Sequence, residues 1–88
     1  VLRHEGNQKW YAVLMKISWD KLEKGREGQV EAVNLKHDQV ADLLSKKGIY
    51  PAFHMNKRYW ISVALDDTLS DEEVLELIER SWNLTIKK

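Results

Sequence analysis

Residues 58–82 read RYWISVALDDTLSDEEVLELIERSW, and the change of rhythm inside this stretch decides the class of fold. At strand period, Tyr59, Ile61, Val63 and Leu65 share one face, while Arg58, Trp60, Ser62 and Ala64 share the other. After Asp66 and Asp67 the apolar residues recur at helical spacing, as Val74, Leu77, Ile78 and Trp82. Ser70 and Glu73 stand at the N-cap and N3 positions of a capping box. Asp71, Glu72 and Glu73 then fall in the first turn, where the helix dipole favours negative charge. A strand and an amphipathic helix in succession each need a cover for an apolar face, and each offers one to the other. The four-residue alternation is therefore expected to face the helices, with Arg58 and Ser62 turned away.

The same reading extends upstream. Residues 1–19, VLRHEGNQKWYAVLMKISW, read as a hairpin: 1–3 and 9–19 are extended, with turn chemistry at Glu5-Gly6-Asn7. Tyr11, Val13, Met15, Ile17 and Trp19 take one face of the long arm, and Trp10, Ala12, Leu14 and Lys16 the other. Both faces are apolar, which predicts a central strand covered on both sides. Residues 20–29 read as a solvated loop, and 30–36 as the next strand with Val33 and Leu35 inward. A helix is expected over 39–47, with Asp38 as N-cap, Val40, Leu43 and Leu44 as its apolar stripe, and Gly48 just past its end. Pro51 keeps 49–53 extended. Residues 54–65 read as a short strand, a turn at Asn56-Lys57 and a long strand. The sum is an α+β fold: an antiparallel sheet of about four to five strands packed against two helices.

The chain has 88 residues, enough for one small domain spanning 1–88, and its start at Val1 rather than Met predicts a fragment of something longer. With 43% hydrophobic and 32% charged residues it is globular rather than disordered. The absence of cysteine excludes disulfides, thiolate zinc sites and cysteine nucleophiles, and fits a cytoplasmic location. The longest apolar run, 10–15, is too short to span a bilayer. The formal net charge of zero hides an asymmetry. Residues 1–65 hold eleven lysines and arginines against seven acids, and 66–88 hold seven acids against three bases. No acid lies between Asp42 and Asp66, where Lys46, Lys47, Lys57 and Arg58 fall.

His4, His37 and His54 have no short metal-ligand spacing, and neither a nucleophile elbow nor a phosphate-binding loop occurs. The acids of the last helix are accounted for by capping rather than by a cation. The reading is of a protein that is not an enzyme and holds no cofactor or metal. Trp60 has two readings. One is burial under a helix beside Trp10 and Leu14; the other is an aromatic platform flanked by Lys57 and Arg58. Tyr11, Trp19, Tyr50, Phe53, Tyr59 and Trp82 are expected in the core or at its edges.

Residues 48–84, GIYPAFHMNKRYWISVALDDTLSDEEVLELIERSWNL, resemble the C-terminal half of the MmcQ/YjbR-like family. That family shows a similar Pro-Ala-aromatic-His-x-Asn-Lys-x-x-Trp segment, here Pro51, Ala52, Phe53, His54, Asn56, Lys57 and Trp60, and a Leu-rich helix ending in Ser-aromatic, here Ser81 and Trp82. NQKWYAVLMKI at 7–17 and VNLKHDQVADLL at 33–44 match upstream. The resemblance implies a CyaY-like arrangement and a double-wing mode of DNA binding. It also implies an N-terminal helix that has no counterpart before Val1.

Two functions follow as expectations. The first is nucleic-acid binding through Lys36, Lys46, Lys47, Lys57, Arg58 and Trp60, with DNA as the partner. The alternative is an interaction or accessory domain of a larger bacterial protein, whose apolar sheet face takes a protein partner or the missing N-terminal segment. Neither a membrane nor a small-molecule substrate is expected.

Overall fold

A computed structural model describes residues 2–6 and 9–86, apart from the side chain of Arg3. Five strands form one antiparallel sheet: β1 (Leu2–Arg3), β2 (Trp10–Ser18), β3 (Gln29–Lys36), β4 (Ile49–Pro51) and β5 (Trp60–Ala64), in the spatial order β1-β2-β3-β5-β4. Two helices, α1 (Val40–Leu43) and α2 (Asp71–Thr85), complete the expected α+β fold. Both edge strands are short and β4 carries Pro51; β1 pairs only with Trp10 and Ala12, so beyond Ala12 no strand among the described residues lies along the outer edge of β2.

Register assigns the two faces. Ala12 pairs with Leu35, which pairs with Ile61; Leu14 pairs with Val33, which pairs with Val63 and through it Ile49. Paired residues share a face, and this one carries the main core, to which Val40 and Leu69 add. Val74, Leu77 and Ile78 of α2 and Leu43 of α1 close over it. The other face holds Trp19, Val30 and Ala64, with Ile17, Leu22 and Tyr50 around them. Loops, not a helix, cover this side. The Arg26 guanidinium lies 3.6 Å from the Trp19 ring centroid, so the segment after β2 folds back over the sheet.

The capping box forms as expected: the Ser70 hydroxyl accepts the Glu73 amide at 3.2 Å, and the Glu73 carboxylate accepts the Ser70 amide at 3.3 Å. Gly48 takes φ +90°, and a side chain there would press on Leu69 and Thr68.

Several expectations fail, each for a reason that the structure shows. The helix over 39–47 shrinks to the single turn of α1, capped without side-chain help at Gln39. Asp38 does not cap it because Arg80 of α2 holds its carboxylate through both oxygens, at 2.8 and 2.7 Å. The apolar alternation of residues 59–65 is halved. Ile61 and Val63 are core, but Tyr59 precedes β5 and Leu65 follows it, and both are exposed. Trp19 leaves the strand for a 3-10 turn over 19–21, where its ring is buried. No strand forms at His54, whose backbone adopts φ +59°. The turn expected at Asn56-Lys57 instead centres on Lys57–Tyr59, with the Asn56 side chain accepting the Arg58 amide at 2.8 Å. Asn7 lies outside the described residues.

The grouping of Trp60 with Trp10 and Leu14 is also corrected. Leu14 belongs to the helix-bearing face, whereas Trp60 pairs with Lys36 on the opposite face. Pairing of Leu2 with Ala12 and of Arg3 with Trp10 leaves Tyr11 as a bulged residue. The bulge turns the Tyr11 ring toward α2, where it meets Trp82 edge-on at 4.9 Å. His4, buried, fills the gap between these two rings. Thr85 donates its hydroxyl to the Ser81 carbonyl at 2.8 Å and so accepts from His4 Nε2 at 2.5 Å.

Candidate nucleic-acid interface

The connection from β4 to β5, residues 52–59, is anchored at one end and exposed at the other. Ala52 is buried against the sheet. Beyond it, the Asn34 amide donates to the Phe53 carbonyl at 2.8 Å, and the Phe53 amide donates to the Ser62 hydroxyl at 2.9 Å. Ser62 in turn donates to Asn34 Oδ1. Asn34 and Ser62 are register partners on β3 and β5, so two buried polar side chains hold the loop's entry. Neither was read as structural from the sequence, where Ser62 was expected simply to face away.

The far end of the loop presents His54, Asn56, Lys57, Arg58 and Tyr59 to solvent. Its backbone is nonetheless held. The Asn56 carbonyl accepts from Tyr59 and Trp60 amides at 3.2 and 3.0 Å, and the Tyr59 carbonyl accepts the His37 amide at 2.9 Å. Burial pushes the His37 imidazole below its ordinary pKa of 6.5, opposed by the Asp38 carboxylate and helped by the Arg80 guanidinium.

The six residues named from the sequence do not converge. Lys36 and Trp60 are register partners, both partly buried, at the end of the sheet that leads into Lys57 and Arg58. Lys46 and Lys47 lie before β4, beside Gly48, whose carbonyl accepts the Ala64 amide at 2.9 Å. That is the opposite end of β5, about 13 Å away at the rise of an extended strand. Lys46 is also engaged, through an ion pair with Glu73. The bond to Lys46 holds the Glu73 carboxyl below the usual range, and the Ser70 amide adds to it. Arg80 does the same for Asp38. Arg26 pairs with Glu23 at 3.1 Å. Lys57 and Arg58 make no ion pair with any described residue; Arg58 instead leans toward Tyr59, 5.8 Å from its ring centroid.

Tyr59 was expected to point inward, yet it is 48% exposed and outside both apolar clusters. The sequence signal was the turn itself: with the turn at 57–59, β5 starts one residue later than the alternation suggested. Among the described residues no three His, Asp or Glu side chains group as a metal site. No helix among them is long and apolar enough to cross a membrane.

This small α+β domain, with one long capped helix over a five-stranded sheet, belongs to the YjbR family, whose sequence model matches residues 1–84. The chain is 38% identical over 86 residues to the uncharacterized protein YyaQ of Bacillus subtilis, covering 96% of itself and 73% of that protein. It is 40% identical over 60 residues to YbdF of Escherichia coli, covering 65% of itself and 49% of YbdF. A crystal structure of a Pseudomonas syringae protein superposes with a TM-score of 0.90 at 45% identity, over 94% of this chain and 73% of that one. A Deinococcus radiodurans protein shares the fold at 24% identity, with a TM-score of 0.62 over 88% of this chain and 62% of that one.

Proposed function

We propose that this domain is a non-enzymatic nucleic-acid-binding module that holds phosphates at the loop between β4 and β5. One observation carries the reading. Lys46, Arg80 and Arg26 are answered by Glu73, Asp38 and Glu23, whereas Lys57 and Arg58, adjacent on one held turn, both stand exposed and without a carboxylate partner among the described residues. Two adjacent cations on a held turn suit phosphate oxygens, and Lys36 lies at the same end of the sheet. Contacts to phosphates carry no base information, so binding is weak and indifferent to sequence. The partner is DNA, and no cofactor takes part. The test is the salt dependence of binding to a labelled duplex. Each lost phosphate contact lowers the slope of log K against log salt by about 0.9, so Lys57→Ala/Arg58→Ala lowers it by nearly two.

A second reading rests on a different surface. Leu14 and Leu65 line one cleft, Leu65 and Leu75 line the next, and all three are exposed. Leu2, paired with Ala12 on the same face, Trp82 on α2 and Ile86 at its C-cap extend this apolar strip. It lies beside α2, on the flank away from α1. We infer that a further segment of a longer chain docks here, because YyaQ and the Pseudomonas protein each extend beyond the matched stretch. Grafting the unmatched part of YyaQ onto this chain tests it: binding of an apolar-surface dye drops if the strip is covered, and unchanged dye binding overturns the reading.

A further inference from the structure

We infer that the nucleic acid taken by this turn is single-stranded, and that Tyr59 is the residue that selects it. The inference rests on the phosphate-binding reading above and adds the form of the ligand. Tyr59 combines a fixed backbone with a free ring. Its amide is bound to the Asn56 carbonyl at 3.2 Å and its carbonyl to the His37 amide at 2.9 Å. Asn56 braces the residue before it through the Arg58 amide at 2.8 Å. Among the described residues the ring makes no aromatic pair and joins neither apolar cluster, and nearly half of the residue is open to water.

An aromatic ring on a held backbone, about half open to water and outside both apolar clusters, is poorly explained by folding, because burial elsewhere in the domain would have stabilised it more. It is well explained by a flat ligand. The neighbouring cations define which. Arg58 stands 5.8 Å from the Tyr59 centroid and Lys57 is one residue further, so ring and charges address the same small region. A flat anion with a charge a few ångströms from its plane fits both, and a nucleotide is such a unit. In a duplex the base faces are stacked on one another, so only phosphates reach the turn and the ring gains nothing. In a single strand each base offers a face to the ring while its phosphates meet Lys57 and Arg58.

Trp60 serves less well as the platform. It is partly buried and locked in the ladder opposite Lys36, on the sheet face rather than at the tip of the turn. Phe53 is occupied as well, with its backbone bound to Asn34 and Ser62 and its ring 3.9 Å from that of His54.

The experiment is a fluorescence-anisotropy titration at about 50 mM salt with two probes, an oligothymidylate of about 12 nucleotides and a duplex of the same length. The expected result is tighter binding of the single strand. Tyr59→Ala weakens it roughly fivefold to a hundredfold and leaves the duplex unchanged, whereas Tyr59→Phe keeps wild-type binding. Tyr59→Leu guards against a folding artefact, since it keeps the bulk and loses the stacking face. If both probes bind equally, and Tyr59→Ala changes neither while Lys57→Ala/Arg58→Ala weakens both, the selection of single strands is wrong and the phosphate reading stands. If neither probe binds, both readings fall.

Discussion

Ser81 of α2 donates its hydroxyl to the Tyr11 carbonyl of β2 at 2.6 Å, and the same oxygen accepts the Lys36 amide of β3 at 3.0 Å. The bulge at Tyr11 ends the β2–β3 ladder at the Ala12–Leu35 pair, so the next carbonyl and amide have no strand partner. One buried hydroxyl satisfies both and fixes where α2 crosses the sheet. The helix that covers the core is therefore positioned by hydrogen bonds as well as by Val74, Leu77 and Ile78.

Ser81→Ala is expected to cost about 1–3 kcal/mol, because it strands two backbone groups inside the protein. Urea unfolding of the variant measures it. An unchanged midpoint would mean that water or a shift of α2 satisfies both groups.

Ser62→Ala should cost a similar amount, about 1–3 kcal/mol, since it removes the acceptor for the Phe53 amide and the donor to Asn34. It should also loosen the loop that carries Lys57 and Arg58, seen as faster amide exchange at Phe53 than in the parent. Equal exchange would show that the loop is held from elsewhere.

The two ends of the predicted alternation should now separate. Val63 is fully buried, so Val63→Ala is expected to cost on the order of 1–3 kcal/mol through the space it leaves. Leu65→Ala, at an exposed site, should fall within about 0.5 kcal/mol of the parent. Paired denaturation curves decide it, and equal losses would place Leu65 in the core after all.

Acid should weaken the domain through His37. Its folded pKa lies below 6.5 because burial disfavours the charged ring, so the unfolded chain takes up the proton first. The contribution is complete above about pH 6.5 and is lost as pH falls from there through the folded pKa. Unfolding free energies at about pH 7.5 and pH 5.5 should differ more for the parent than for His37→Gln. The same pH step in both would assign it to another group.

Much of this was legible in the sequence where local chemistry decides. The capping box at Ser70 and Glu73, the strand core of Ile61 and Val63, and the inward Val33 and Leu35 needed only periodicity and spacing. What was missed depends on partners far along the chain. Asp38 looks like a helix cap until Arg80, 42 residues on, takes its carboxylate. Ser62 looks like a surface residue until Asn34 and Phe53 meet it. Lys46 looks available until Glu73 reaches it. For the candidate site, Lys57 and Arg58 were placed correctly as exposed turn residues, but their neighbour Tyr59 was assigned inward because a one-residue difference in the start of β5 moves a side chain from core to solvent.

The central claim is that Lys57 and Arg58 hold nucleic-acid phosphates, and the most direct measurement is an amide chemical-shift map of the labelled domain with added oligonucleotide at low salt, repeated as salt is raised. The account predicts shifts confined to residues 54–60 and Lys36, reversed by salt and strongly weakened in Lys57→Ala/Arg58→Ala, whose melting temperature stays near that of the parent. Shifts centred on Lys46 and Lys47, or a double variant that binds as the parent does, would contradict it.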